Sequence, residues 1–126
     1  MSVTENDWRL AFVNDWRSAW SDKNIEKILS FYQDGFAMNS PLICDCLGID
    51  KVLCVGKAEL ENYCKYIFAN FPEYVIRMVG TSFKGETITL HYYDCFAKLV
   101  TESMQFSPDR KVINSVAFYY SVIVLI

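Results

Sequence analysis

No stretch of this chain is apolar for long enough to read as a membrane span. The longest uninterrupted apolar run near its end covers residues 122–126, against the ~20 residues that a helix needs to cross a bilayer. The first seven residues are polar and acidic and do not read as a signal peptide. A basic amphipathic stretch that could lie on a membrane surface is missing as well. Cations are too few and too scattered for nucleic acid: 12 Lys and Arg stand against 15 Asp and Glu, a net charge of −3. Phosphate backbones call for clustered Lys and Arg. There is no Gly-rich phosphate loop, nucleophile elbow or dinucleotide fingerprint, so no cofactor is implied. Repeats, linkers and low-complexity segments are absent too.

Histidine occurs once and cysteine five times, an odd count that suits a disulfide framework poorly. Without an export signal, reduced thiols in the cytoplasm are the expectation. Cys44-Asp-Cys46 followed by Cys54 suggests a metal, yet zinc sites use Cys-x-x-Cys pairs and four ligands. Only Cys64, Cys95 or His91 could complete such a set, so no metal is assigned. The thiols read better as small hydrophobes.

What the chain does have is apolar and aromatic bulk. Hydrophobic residues make up 52%, aromatics 16% and charged residues 21% of its 126 positions. That is the size and composition of one packed domain spanning residues 1–126, able to bury about two thirds of its unfolded surface.

The pattern along the chain changes period once. Trp8, Phe12, Trp16 and Trp20 recur every four residues, which predicts a helix over about 5–20 with Thr4 as its cap. A polar turn over 21–24 leads to a short helix carrying Ile25, Ile28, Leu29 and Tyr32, ended by Asp34-Gly35. Residues 36–40 read as a strand stopped by Pro41. After a loop, Gly56 opens a third helix with Leu60, Tyr63, Cys64, Ile67, Phe68 and Phe71 at helical spacing, closed by Pro72. Beyond it, residues 74–83, 86–98, 99–106 and 111–125 are rich in Val, Ile, Tyr, Phe and Thr, with turns at Lys84-Gly85 and Ser107-Pro-Asp-Arg110 and an inferred break after residue 98. Three helices followed by a meander predict an α+β fold, the helices packed on one face of a curved antiparallel sheet.

This order of elements, with several local patterns, resembles the nuclear transport factor 2-like superfamily, in particular its SnoaL-like, ketosteroid isomerase-related branch. The resemblance rests on Phe12-Val-Asn-Asp-Trp-Arg-Ser-Ala-Trp20 with Ile28-Leu-Ser-Phe-Tyr32, and on Asn39-Ser-Pro-Leu-Ile43. It continues through Val55-Gly-Lys-Ala-Glu-Leu60 with Tyr63, Leu90-His-Tyr92, and Glu102 to Val112. It implies a cystatin-like cone whose open end is a pocket. It does not imply one activity, since the superfamily holds isomerases, cyclases, dehydratases, epoxide hydrolases and transport adaptors.

Ketosteroid isomerase has the plainest mechanism among these relatives. Laid without gaps from Val13 to Pro41, its substrate-contacting tyrosine falls on Trp16 and its aspartate base on Ser40. Serine is no base at neutral pH without help, so that route is not expected here. The protonated carboxylic acid of the isomerase falls on Glu102. Strand parity supports the same position independently: Val100, Glu102, Met104 and Phe106 share one face. A carboxyl among apolar neighbours should have a raised pKa and could donate a hydrogen bond. The plain alternative is a rim glutamate paired with Lys98.

His91 is a candidate base, with Asp94 or a tyrosine to orient it, although a lone histidine is more often an ordinary sheet residue. Parity groups His91 with Thr89 and Tyr93, opposite Leu90 and Tyr92, without saying which face looks inward. Glu102, His91 and Asp94 are therefore the candidate catalytic set. The candidate ligand contacts are Trp16, Trp20, Tyr32, Met38, Ser40, Tyr63, Ile67 and Met104.

The last predicted strand is apolar on both faces. Val112, Val116, Phe118, Tyr120 and Val122 read as one face, with Ile113, Ala117, Tyr119, Ile123 and Leu125 as the other. Helices can cover only one side, so a homodimer through the outer face is expected. Three functions fit: a binder of a small, largely apolar molecule; an acid–base isomerase, cyclase or dehydratase of a carbonyl compound; or a transport or assembly adaptor.

Overall fold

The structure, a computed structural model, describes residues 7–40, 53–94 and 97–119. Helix α1 runs over Trp8–Ser21 and is capped by Asp7, whose carboxylate accepts from the Arg9 backbone N–H at 2.9 Å. A side-chain oxygen at that position satisfies one of the orphan N–H groups of the first turn. The cap expected at Thr4 lies outside the described residues. Asn24 caps α2 (Ile25–Ser30) in the same way, through the Lys27 N–H.

The second helix stops earlier than its apolar spacing suggests. Tyr32 already belongs to strand β1, Tyr32–Asn39, and Asp34-Gly35 sit inside that strand rather than behind a helix. The backbone bulges there: Tyr32 pairs with Val112, but Ala37 pairs with Asn114, with Gly35 at φ +76°. Tyr32, Phe36 and Met38 keep the same parity across it and all reach the core. Strand β2, Leu53–Val55, falls where only a loop was expected, and three residues are too few for period-two alternation to show.

Gly56, at φ +85° and ψ 163°, turns the chain into α3, Lys57–Asn70. Its buried stripe is Leu60, Tyr63, Cys64 and Ile67. The remaining strands are β3 (Arg77–Lys84), β4 (Thr87–Tyr93), β5 (Leu99–Phe106) and β6 (Val112–Tyr119).

The described strands form one sheet in the order β2-β1-β6-β5-β4-β3. Adjacent strands are antiparallel except β1 and β6, which run parallel. A parallel neighbour requires a crossover, and α3 with the β3–β5 meander lies between the two in sequence. The inner face of the curved sheet packs against the helices. Near the N-terminal end of α1 the space is filled, with Phe12 edge-on to Phe106 at 4.8 Å and Trp8 to Phe106 at 5.2 Å.

A second bulge changes the face assignment of β6. Gln105 pairs with Asn114 but Phe106 with Val112, so Ile113 is the extra residue. Val112 thereby points inward with Ser115 and Ala117, whereas Val116 lies on the outer side with Phe118. Strict alternation from Val112 placed Val112, Val116 and Phe118 together; the bulge breaks that parity.

Candidate functional site

Glu102 lies on β5 and is buried, with only 4% of its surface exposed. Its register neighbours are Leu90 on β4 and Ala117 on β6, so the side chain points to the helix-covered face. Tyr92 Oη donates to Oε1 at 2.6 Å and Ser115 Oγ donates to Oε2 at 2.5 Å. Both partners are buried, and the Trp16 ring stands edge-on to Tyr92 at 5.5 Å. Burial drives the Glu102 carboxyl above its ordinary range, and the two hydroxyl donors offset only part of that. Lys98, the partner that a rim position would supply, places its Nζ 5.7 Å from the Tyr119 ring instead.

Above Glu102 is a small cavity of about 30 Å³. A water needs ~10–15 Å³ on such a measure, so there is room for about two. Trp16, Trp20, Tyr32 and Met38 line it on the side of α1 and β1. Ser40, Tyr63 and Ile67 also line it, as do Glu102 and Asp94. The aromatic rings fill most of the cone: Trp16, Tyr32 and Phe36 are almost wholly enclosed. The tryptophan stripe is thus mainly core, and only its Trp16–Trp20 end borders open space.

Two expected site residues fall elsewhere. His91 is on the opposite face of β4 from Leu90 and Tyr92, where Nδ1 meets Thr101 Oγ1 at 2.9 Å. It does not share the cavity with Glu102, because one step along a strand reverses the side chain. Met104 shares the inner face with Glu102 but does not line the cavity. It is fully buried nearer Phe106, where α1 packs directly onto the sheet.

Sequence reasoning passed over Ser115, Tyr92, Tyr74, Ile76, Val100 and Tyr119 as members of the site. Tyr92 and Val100 could have been found from parity with Glu102. Ser115 could not, because the β6 bulge sets its direction. Tyr74 and Asp94 have a further role: both also border an outer cleft of about 610 Å³. Phe71, Pro72, Val75, Arg77 and Tyr93 form much of the cleft wall.

Among the described residues, no group of three or more His, Cys, Asp or Glu could hold a metal. Cys54 and Cys64 are both buried, and burial holds the Cys64 thiol far above its usual range. Cys44, Cys46 and Cys95 lie outside the described residues. No helix among the described residues is long and apolar enough to cross a membrane.

Helices packed on one face of a curved sheet are the architecture of nuclear transport factor 2-like proteins, and solved structures of that class match this chain. A SnoaL-like protein of unknown function from Burkholderia thailandensis matches at 27% identity and a TM-score of 0.84, covering 96% of this chain and 100% of that one. A protein with a ketosteroid isomerase-like fold from Catenulispora acidiphila, solved with trimethylamine, matches at 11% identity and TM-score 0.68. That match covers 93% of this chain and 87% of the other. TerC, co-crystallised with polyporic acid, matches at 11% identity and TM-score 0.70, over 89% and 91% of the two chains. The chain belongs to the nuclear transport factor 2-like superfamily and is similar to SnoaL-like proteins within it. No protein-family model and no curated protein matches it.

Proposed function

We propose that this protein binds a small, largely apolar molecule in the cone, with the Glu102 carboxyl as a polar contact. The observation that carries this reading is a buried carboxyl bordering a cavity walled by aromatic rings. Burying an ionisable group costs free energy, and such groups gather at functional sites. The trimethylamine complex of the C. acidiphila protein supports a small guest in this fold. The inner cavity is tight, so the inserted part of the guest is small and the remainder must extend outward. Indole N–H resonances of the three tryptophans provide the test. Titration with small aromatic compounds should shift Trp16 and Trp20 but leave Trp8, at the other end of α1, unmoved. Equal shifts at all three, or none, would remove the reading.

A second reading is acid–base chemistry on a carbonyl compound. Its support is that two carboxyl groups, Glu102 and Asp94, border one cavity. Neutral Glu102 would donate toward developing oxygen charge while Asp94 accepts a proton. His91 takes no part. Deuterium uptake next to the carbonyl of a simple ketone in D₂O tests this, and a rate equal to buffer alone rejects it.

The outer sheet face carries exposed Val79, Tyr93 and Phe118, and a second subunit there is the proposed partner. A monomer in solution would instead favour an adaptor that uses this face for another protein.

A further inference from the structure

Trp20 lies near the C-terminal end of α1, with 5% of its surface exposed and its ring 5.8 Å from that of Phe68. Its Nε1–H is buried and meets no acceptor among the described residues. Indole nitrogen only donates, so this is a donor desolvated without compensation, which the fold would ordinarily avoid. The neighbouring Trp16 shows the ordinary solution: its Nε1 donates to Tyr32 Oη at 3.3 Å. Tyr32 Oη therefore accepts one bond, while its own O–H proton goes to no protein group among the described residues. Trp20 and Tyr32, which carry these two donors, both line the same cavity as Glu102. A cation would leave both unsatisfied; an oxygen lone pair would satisfy them.

We propose that the inner cavity is a subsite for a bare oxygen acceptor, a carbonyl or phenolate-type oxygen, held by Trp20 Nε1–H and Tyr32 O–H. The apolar body of the same molecule leaves past Tyr74 and Asp94 and lies in the outer cleft. This rests on the binding reading above and gives its ligand a chemical class. The two volumes require the division. Room for about two waters accepts an oxygen and its carbon, whereas the cleft of about 610 Å³ accepts a ring system. Phe71 and Val75 give that cleft an apolar wall, and Arg77 is the one cation among its described lining residues, beside the carboxylates of Glu73 and Asp94.

The test compares acetophenone with ethylbenzene, which differ chiefly in the carbonyl oxygen, by indole and amide NMR on the intact protein. Acetophenone should bind about tenfold more tightly, the worth of roughly one net hydrogen bond. It should move the Trp20 indole proton downfield, and amides around Phe71 and Val75 should respond as well. Trp20→Phe should bring the two affinities together, with Tyr32→Phe as a second variant should the first fold poorly. Equal affinity with an unmoved Trp20 indole would overturn the oxygen subsite, leaving it to water, while the apolar binding reading stands. No response to either compound at their solubility limits would overturn both.

Discussion

Replacing Glu102 separates its hydrogen bonds from its charge. In Glu102→Ala, the buried hydroxyls of Tyr92 and Ser115 lose their common acceptor. An unsatisfied buried hydroxyl costs about 1–3 kcal/mol, so the pair amounts to about 2–6 kcal/mol. In a domain of this size that lowers Tm by roughly 8–20 °C. Glu102→Gln keeps the shape and can both accept from Tyr92 and donate to Ser115, so it should stay within about 1 kcal/mol of the parent at low pH. The charge then appears in the pH dependence. Burial raises the folded-state carboxyl above its unfolded value of 4.5. The unfolded chain therefore releases the proton first, and the parent loses stability as pH rises from that value to the folded one. The Gln variant lacks this loss, so its advantage over the parent should grow across that window and then level off. Urea unfolding followed by tryptophan fluorescence at several pH values measures all of this. Ala and Gln variants with the same midpoint, or a parent-to-Gln difference flat with pH, would refute the buried hydrogen-bonded acid.

Three further outcomes follow from the same geometry. His91→Ala should cost under about 1 kcal/mol and leave guest binding unchanged, since it removes only the outer-face bond to Thr101; calorimetric titration checks the binding. Gly56→Ala should destabilise by about 1–3 kcal/mol in urea unfolding, because a side chain resists φ +85° although its Cβ would meet nothing within 4 Å. Phe118→Asp, at a position 61% exposed on the outer face, should yield a folded monomer in sedimentation if that face joins two subunits. An unchanged sedimentation coefficient would place the contact elsewhere.

Much of this arrangement is dictated locally. The four-residue recurrence of Trp8, Phe12, Trp16 and Trp20 can bury one stripe only as a helix, and the structure forms α1 there. Alternation from Val100 to Phe106 can bury one face only as a strand, which turns Glu102 toward the core. The helices-then-strands order restricts the layers to an α+β packing. Side-chain periodicity carries such information because burial is its cause.

Tertiary structure decided the rest, wherever an inserted residue or a distant partner set the outcome. The bulge at Ile113 reverses parity along β6, so the inward turn of Ser115 is not written in alternation. Which face of β4 looks inward depended on the helices that cover it, and their packing put His91 outside. The hollow is what remains after Trp16, Tyr32 and Phe36 have packed, a volume difference that no single residue encodes. Whether an indole N–H finds an acceptor, as in Trp16, or has none among the described residues, as in Trp20, depends on side chains brought together from different elements.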